Sequence, residues 1–238
     1  MTLSIQGLAR LAALGAVGGV ALAAPASAQP RISFPGAPWD FGQVLQDQAV
    51  SHQFEIKNAG KDTLFISRVK PACGCTSAPL TRDVVAPNES IWLDVTFNTK
   101  KFSGQVTKAV TVYCNDPANA QASFEFSADV ASTRTRVAPL AEPADLGKLA
   151  PNMDGQTSIG FVNLGQEPYK LRVADWPKSW LALGWTEKVV DPGDTLSLTV
   201  GTTGVPPLGK FNSSLTFDVE GSRKSRMSLP LTGVGQME

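Results

Sequence analysis

Val50-Ser51-His52-Gln53-Phe54-Glu55-Ile56-Lys57 sets Val50, His52, Phe54 and Ile56 on one parity and Ser51, Gln53, Glu55 and Lys57 on the other. Side chains that alternate with a period of two describe a strand with one buried and one wet face. The run stops at Asn58-Ala59-Gly60, residues that favour a turn. Beyond it the alternation returns in Leu64-Phe65-Ile66, in Val84-Val85 before Pro87, in Ile91, Leu93, Val95 and Phe97, and in Val106, Val110, Val112 and Cys114. A last strand runs around Phe124 to Val130, and no stretch carries the spacing of a useful amphipathic helix.

The whole pattern then repeats. Asp40 recurs as Asp145, Asn58 as Asn163, Pro87 as Pro192 and Gly104 as Gly209, each 105 residues on. Landmarks at a constant offset define an internal duplication. The apolar faces recur with them, as Ile159 and Phe161, as Leu196, Leu198 and Val200, and as Phe211, Leu215, Phe217 and Val219. About seven short strands in roughly 100 residues, separated by Gly, Pro, Asn and Asp turns, describe an immunoglobulin-like β-sandwich. The sequence therefore predicts an all-β chain of two tandem immunoglobulin-like β-sandwich domains, residues 30–133 and a degenerate second copy, 136–238. The short polar Ser132-Thr133-Arg134-Thr135-Arg136 joins them.

Residues 1–28 read as a cleaved secretory signal peptide. They hold one cation, Arg10, an apolar glycine-interrupted run from Leu11 to Ala24, and a small-x-small site at Ala26-Ser27-Ala28. The run is too short for a good membrane span and no second one follows, so a mature chain without a transmembrane segment is expected in the periplasm. Gln29 rather than Cys follows the cut, which leaves a lipoprotein anchor no attachment point. The chain carries 21 Lys+Arg against 21 Asp+Glu, a balance that argues against nucleic acid or an anionic membrane as main partner.

Asp40-Phe41-Gly42, His52-Gln53-Phe54, Lys57-Asn58-Ala59-Gly60, Cys73-Gly74-Cys75-Thr76, Val85-Ala86-Pro87 and Asn115-Asp116 together resemble the bacterial secreted family called domain of unknown function 1573. That family is similar in turn to the abnormal-spindle, major-sperm-protein and Hydin-type domains. The resemblance covers residues 38–130 well and the second copy only in its scaffold. It implies a seven-stranded immunoglobulin-like fold and a non-enzymatic role.

The second copy serves as an internal control for chemistry. His52 corresponds to Thr157, Cys73 to Lys178, Cys75 to Trp180 and Cys114 to Val219, so the scaffold needs neither the imidazole nor the sulfurs. Antiparallel strand order places the start of the His52 strand and the end of the Leu64 strand at one pole, so His52 and Cys73-Gly74-Cys75 are expected as neighbours. Three readings of the loop stay open. Two cysteines one residue apart in an oxidising compartment can bridge and pin the loop. Two thiolates with the sole histidine can form a soft-metal site, His52, Cys73 and Cys75, suited to Cu(I) and less well to Zn(II). A strained Cys-x-Cys bridge can also perform thiol–disulfide chemistry, though without the thioredoxin-type helix that lowers a thiol pKa. Cys114, on the face of Val110 and Val112, reads as a small buried hydrophobe.

Trp176, Trp180 and Trp185 cluster where the second copy replaces the cysteine loop, and they read chiefly as caps on the end of a core. No Ser/His/Asp set, phosphate loop or paired carboxylates around a cleft can be assembled. The sequence thus points to a non-enzymatic binding or scaffold protein for unknown envelope partners. A copper-handling or thiol-redox protein and a chaperone for secreted subunits are the alternatives.

Overall fold

The computed structural model describes residues 28–152 and 157–237. The leader, except for Ala28, lies outside the described residues. The first copy contains β1 (Ile32–Ser33), β2 (Trp39–Leu45), β3 (Ala49–Asn58), β4 (Leu64–Pro71), β5 (Thr76–Ser77), β6 (Val84–Val85), β7 (Ser90–Asn98), β8 (Gly104–Cys114) and β9 (Gln121–Ala131). The second contains β10 (Val137–Pro139), β11 (Ala144–Leu149), β12 (Thr157–Asn163), β13 (Tyr169–Asp175), β14 (Leu181–Leu183), β15 (Glu187–Val190), β16 (Thr195–Thr202), β17 (Gly209–Glu220) and β18 (Lys224–Gly235). Among the described residues no helix is long and apolar enough to cross a membrane.

Each copy is an immunoglobulin-like sandwich. In the first, a sheet ordered β1-β3-β7-β5 faces β2-β9-β8-β4-β6; in the second, β10-β12-β16-β14 faces β11-β18-β17-β13-β15. The alternation fixes which sides meet, and each copy fills the space with its own cluster. Phe41, Phe54, Phe97 and Phe126 are fully buried in one, and Phe161, Phe217, Leu146 and Leu171 in the other. Burying side chains of this size contributes about 1.5–3 kcal/mol each.

The repeated motifs perform the same task twice. Asn58 Nδ2 donates to the carbonyls of Asp62 and Val85, at 2.8 and 3.0 Å, while its Oδ1 accepts from Gly60 N. Asn163 does the same with Glu167, Val190 and Gly165. A buried amide thereby satisfies backbone groups that the turn leaves unpaired. Asp40 and Asp145 each accept from the glycine two residues on, and Gly42 and Gly147 have φ of 65° and 69°, which glycine adopts without strain.

The two sandwiches are joined side by side as well as in series. β2 lies parallel to β18 with Gln43 opposite Met227, so one ten-stranded sheet runs through both copies. Ser228 Oγ donates to the Phe41 carbonyl at 2.8 Å, and Ser51 N donates to Ser214 Oγ at 2.9 Å. Gly42 is required here for a second reason, because a Cβ would collide with the Arg226 carbonyl. The junction differs from the expected short polar tether. Arg134 is buried with its side chain 2% exposed, paired with Glu142, and donates to the carbonyls of Gln43 and Ser228. A buried guanidinium satisfied by a carboxylate and two carbonyls from opposite sides fastens the seam.

Candidate binding groove and cysteine loop

The cysteine loop connects β4 to β5 and is held by its backbone. Ala72 N donates to Ala109 O at 3.0 Å, Thr76 N to Cys73 O at 3.3 Å and Asn98 N to Cys75 O at 2.9 Å. Cys73 and Cys75 are joined in a disulfide, their Cα atoms 5.2 Å apart. The Thr76 hydroxyl lies 3.7 and 3.8 Å from the two sulfurs. Both cysteines are half-buried, and they open onto a cavity of about 560 Å³ shared with Asn98, Lys100, Lys101 and Phe102. At the apex, a Cβ on Gly74 would meet nothing within 4 Å.

In the second copy the same connection is made without sulfur. Thr203 N donates to Trp180 O at 2.9 Å, the counterpart of the Asn98–Cys75 bond. Trp180 turns inward, 6% exposed, with its ring 5.1 Å from that of Phe211. Trp185 also packs against this core and donates from Nε1 to Ser197 O. Trp180 and Trp185 are therefore caps, as the sequence suggested, and Trp176 packs half-buried against the same core while also lining the seam.

The structure brings Cys73 and Cys75 together but places His52 elsewhere, so the neighbourhood expected of His52 with the loop is corrected. The His52 ring stacks on Trp39 at 3.8 Å and 5° between planes, and its Nδ1–H donates to Asp175 of the second domain at 2.7 Å. Strand β7 stands between His52 and the loop, pairing with His52 of β3 through Val95 on one side and with Thr76 of β5 through Phe97 on the other, and the seam then covers His52, since β3 lies against β17. Thiolate ligands for Cu(I) would come from the loop alone, after its disulfide is opened. Cys114 lies on the expected face, packed against the first core, but is not fully buried. It is half-buried at the end of β8, its Sγ 3.4 Å from Asn119 O, and partial burial raises its pKa above the ordinary thiol value.

Around His52 the seam forms a groove that the sequence did not disclose. Trp39, Trp92 and Trp176 share a volume of about 560 Å³ with His52, Glu55 and Lys178. Beyond Asp175 it continues into a second hollow of about 460 Å³ containing Asp94. Trp92 projects from near the start of β7 and is 57% exposed. Lys178 Nζ lies 4.6 Å from the Trp176 ring, and the Arg226 guanidinium 5.1 Å from that of Trp39. Trp39 Nε1 is buried without a hydrogen-bond partner among the described residues. The duplication held a usable signal for these residues, since Trp39 and Trp92 stand opposite Ala144 and Ser197.

Residues 32–130 match the model of a family described as protein of unknown function (DUF1573). No curated protein matches the chain. Among solved structures, a protein of unknown function from Porphyromonas gingivalis W83 is 15% identical, with 84% of this chain and 98% of that one covered and a TM-score of 0.34. The Pseudomonas aeruginosa CupB2 chaperone is 9% identical over 83% of this chain and 98% of its own, TM-score 0.34. The PapD-like domain 7 of human CEP192 is 10% identical over 56% and 99%, TM-score 0.36.

Proposed function

The chain carries a DUF1573 domain over residues 32–130, and from that premise we propose that it is a non-enzymatic binding protein of the bacterial periplasm. Its two immunoglobulin-like domains hold an extended protein segment in the groove at their seam. The observation that supports this reading is Trp92, 57% exposed in a groove that also contains Trp176. Tryptophan is enriched among the residues that dominate protein interfaces, because a large rigid surface is buried at little entropic cost. Glu55, Asp94 and Asp175 line the groove against one ammonium, that of Lys178, so the occupant carries basic as well as apolar side chains. Indole faces attract cations as well. The sole histidine is engaged by Trp39 and Asp175, a positioning role in the wall of the groove.

Tryptophan fluorescence titration of the secreted chain with a lysine- and phenylalanine-rich peptide tests the reading. Trp92→Ala is expected to weaken binding at least about tenfold, the loss of a typical interface anchor. An acidic peptide of equal length should not bind. Equal binding of both peptides, or affinity untouched by Trp92→Ala, would remove the groove from the function. A second reading, a chaperone that pairs with strands of secreted subunits, is favoured by the exposed Phe65 and Val84, opposite each other where β4 meets the edge strand β6. A photoreactive residue at position 65 rather than 92 would then capture the partner in cells.

A further inference from the structure

We propose that the Cys73–Cys75 disulfide is a thiol–disulfide exchange site that accepts two electrons from the thiols of a partner and is left as a dithiol. The fold does not depend on the bond. The loop is fastened by three backbone hydrogen bonds, and the second copy makes the counterpart of one of them with Trp180 where Cys75 stands. The sulfurs are half-buried at an open cavity, with bare Gly74 between them, so an incoming thiolate has a path.

The surroundings favour thiolates. Lys100 and Lys101 line the cavity beside the sulfurs, while their counterparts are Val205 and Pro206. Lys108 reaches the same corner, its Nζ 4.5 Å from the Phe102 ring. Cations beside a sulfur lower its pKa and improve it as a leaving group. The Thr76 hydroxyl, within 3.8 Å of both sulfurs, can donate to whichever one carries the charge. The lysines and the cysteines thus occur in the same copy and are absent from the same copy.

The two sulfurs are not equivalent. Cys75 packs against the domain core and Cys73 is not part of that contact. A partner thiolate attacks Cys73 Sγ; the new S–S bond forms as the Cys73–Cys75 bond breaks, and Cys75 leaves as the thiolate. The partner's second thiolate then attacks its own sulfur in the mixed disulfide and expels Cys73. The partner dithiol is oxidised to a disulfide, Cys73 and Cys75 are reduced, and the two protons given up by the partner thiols balance those taken up by the loop. The electron donor is a thiol of the same compartment, either a protein dithiol or two low-molecular-weight thiols.

The test uses the chain secreted with its leader and purified from the periplasm, with Cys114→Val to silence the third sulfur. Equilibration in mixtures of reduced and oxidised glutathione, acid quenching, alkylation and mass measurement give the fraction oxidised. The pair should pass to the dithiol in mixtures that leave buried structural disulfides intact, with the circular dichroism unchanged. A pair that stays oxidised throughout, or opens only as the chain unfolds, overturns the proposal and makes the bond a staple. In the reduced protein, Lys100→Ala with Lys101→Ala should move the pH midpoint of alkylation upward and slow the reaction at neutral pH, about tenfold if the midpoint rises from one pH value to the next whole one. An unmoved midpoint would refute the electrostatic assignment. Cys75→Ser leaves Cys73 a lone thiolate that can run the second step in reverse, attacking the disulfide of the oxidised partner and expelling one of its thiolates. An adduct on Cys73 should therefore be trapped in cells, of low mass for a small disulfide and of protein mass for a protein one, and Cys73→Ser should trap far less. Adducts on neither would sink the exchange reaction.

Discussion

The turn from Pro71 to Thr76 in the first domain and the turn from Trp176 to Leu181 in the second occupy the same place in the same fold and close it by opposite means. One tucks an indole into the sandwich, edge-on to Phe211. The other leaves two sulfurs at the mouth of a cavity and joins them to each other. Since backbone hydrogen bonds hold both turns, the difference lies in what the side chains are free to do. The indole contributes buried area, whereas the disulfide contributes little burial and a bond that can be exchanged.

Substitutions can break this comparison. The largest effect is expected from Trp180→Ala, which should cost about 3–5 kcal/mol in denaturant unfolding, as loss of a buried aromatic side chain does. Next come Asn58→Ala and Asn163→Ala, each about 1–3 kcal/mol because buried backbone partners are left unpaired. Their two losses should be alike, and a marked inequality would mean that the copies do not share a scaffold energetically. Replacing Cys73 and Cys75 together with serine should cost no more than about 1.6 kcal/mol, the chain-entropy value for so short a closed loop. A loss equal to that of Trp180→Ala would make the two closures equivalent after all.

The smallest expected effect is one of pH, at the two outer edges of the shared ten-stranded sheet. In the second domain the hydrogen bond from Lys170 holds the Glu220 carboxyl below its ordinary value, and Glu220 with Glu187 raises Lys170. The corresponding first-domain residues are Phe65, Asn115 and Arg82, which cannot form such a network. A carboxylate whose folded pKa is lowered adds stability that is complete above its unfolded pKa and is lost as pH falls through the folded one. The raised lysine contributes below its unfolded pKa and loses that contribution as pH rises through the folded value. Intrinsic-rate-corrected hydrogen exchange should therefore show β13 and β15 loosening below the ordinary carboxylate range while β4 and β6 stay unchanged. Equal loosening at both edges would assign the effect to the sheet at large.

The sandwiches were legible because their information is local. Alternation along a strand and the 105-residue offset are both visible in the chain, and even Asn58 and Asn163 could be paired by eye. The cysteine loop stood out for the same reason, as a departure from its own copy. The groove was not legible, because its residues meet across the seam. His52 and Asp175 are 123 residues apart, and parity along β3 indicates which face His52 occupies but not that another domain covers it. Arg134 misled in the same way, since a polar linker residue carries no mark of burial until Gln43, Glu142 and Ser228 converge on it.

The seam joins unlike surfaces of like units. β2 of the first domain meets β18 of the second, so the contact is heterologous, a geometry that in principle propagates copy after copy. Here the contact groups have diverged in both copies. Trp39 and His52 of the first domain stand opposite Ala144 and Thr157, while Asp175, Ser214 and Arg226 of the second stand opposite Lys70, Ala109 and Gln121. The junction has therefore acquired a direction: the first domain presents one half of the lock and the second presents the other. A chain with the two halves exchanged in order would keep both cores and lose the clasp, which makes the groove a property of the order of duplication rather than of either domain.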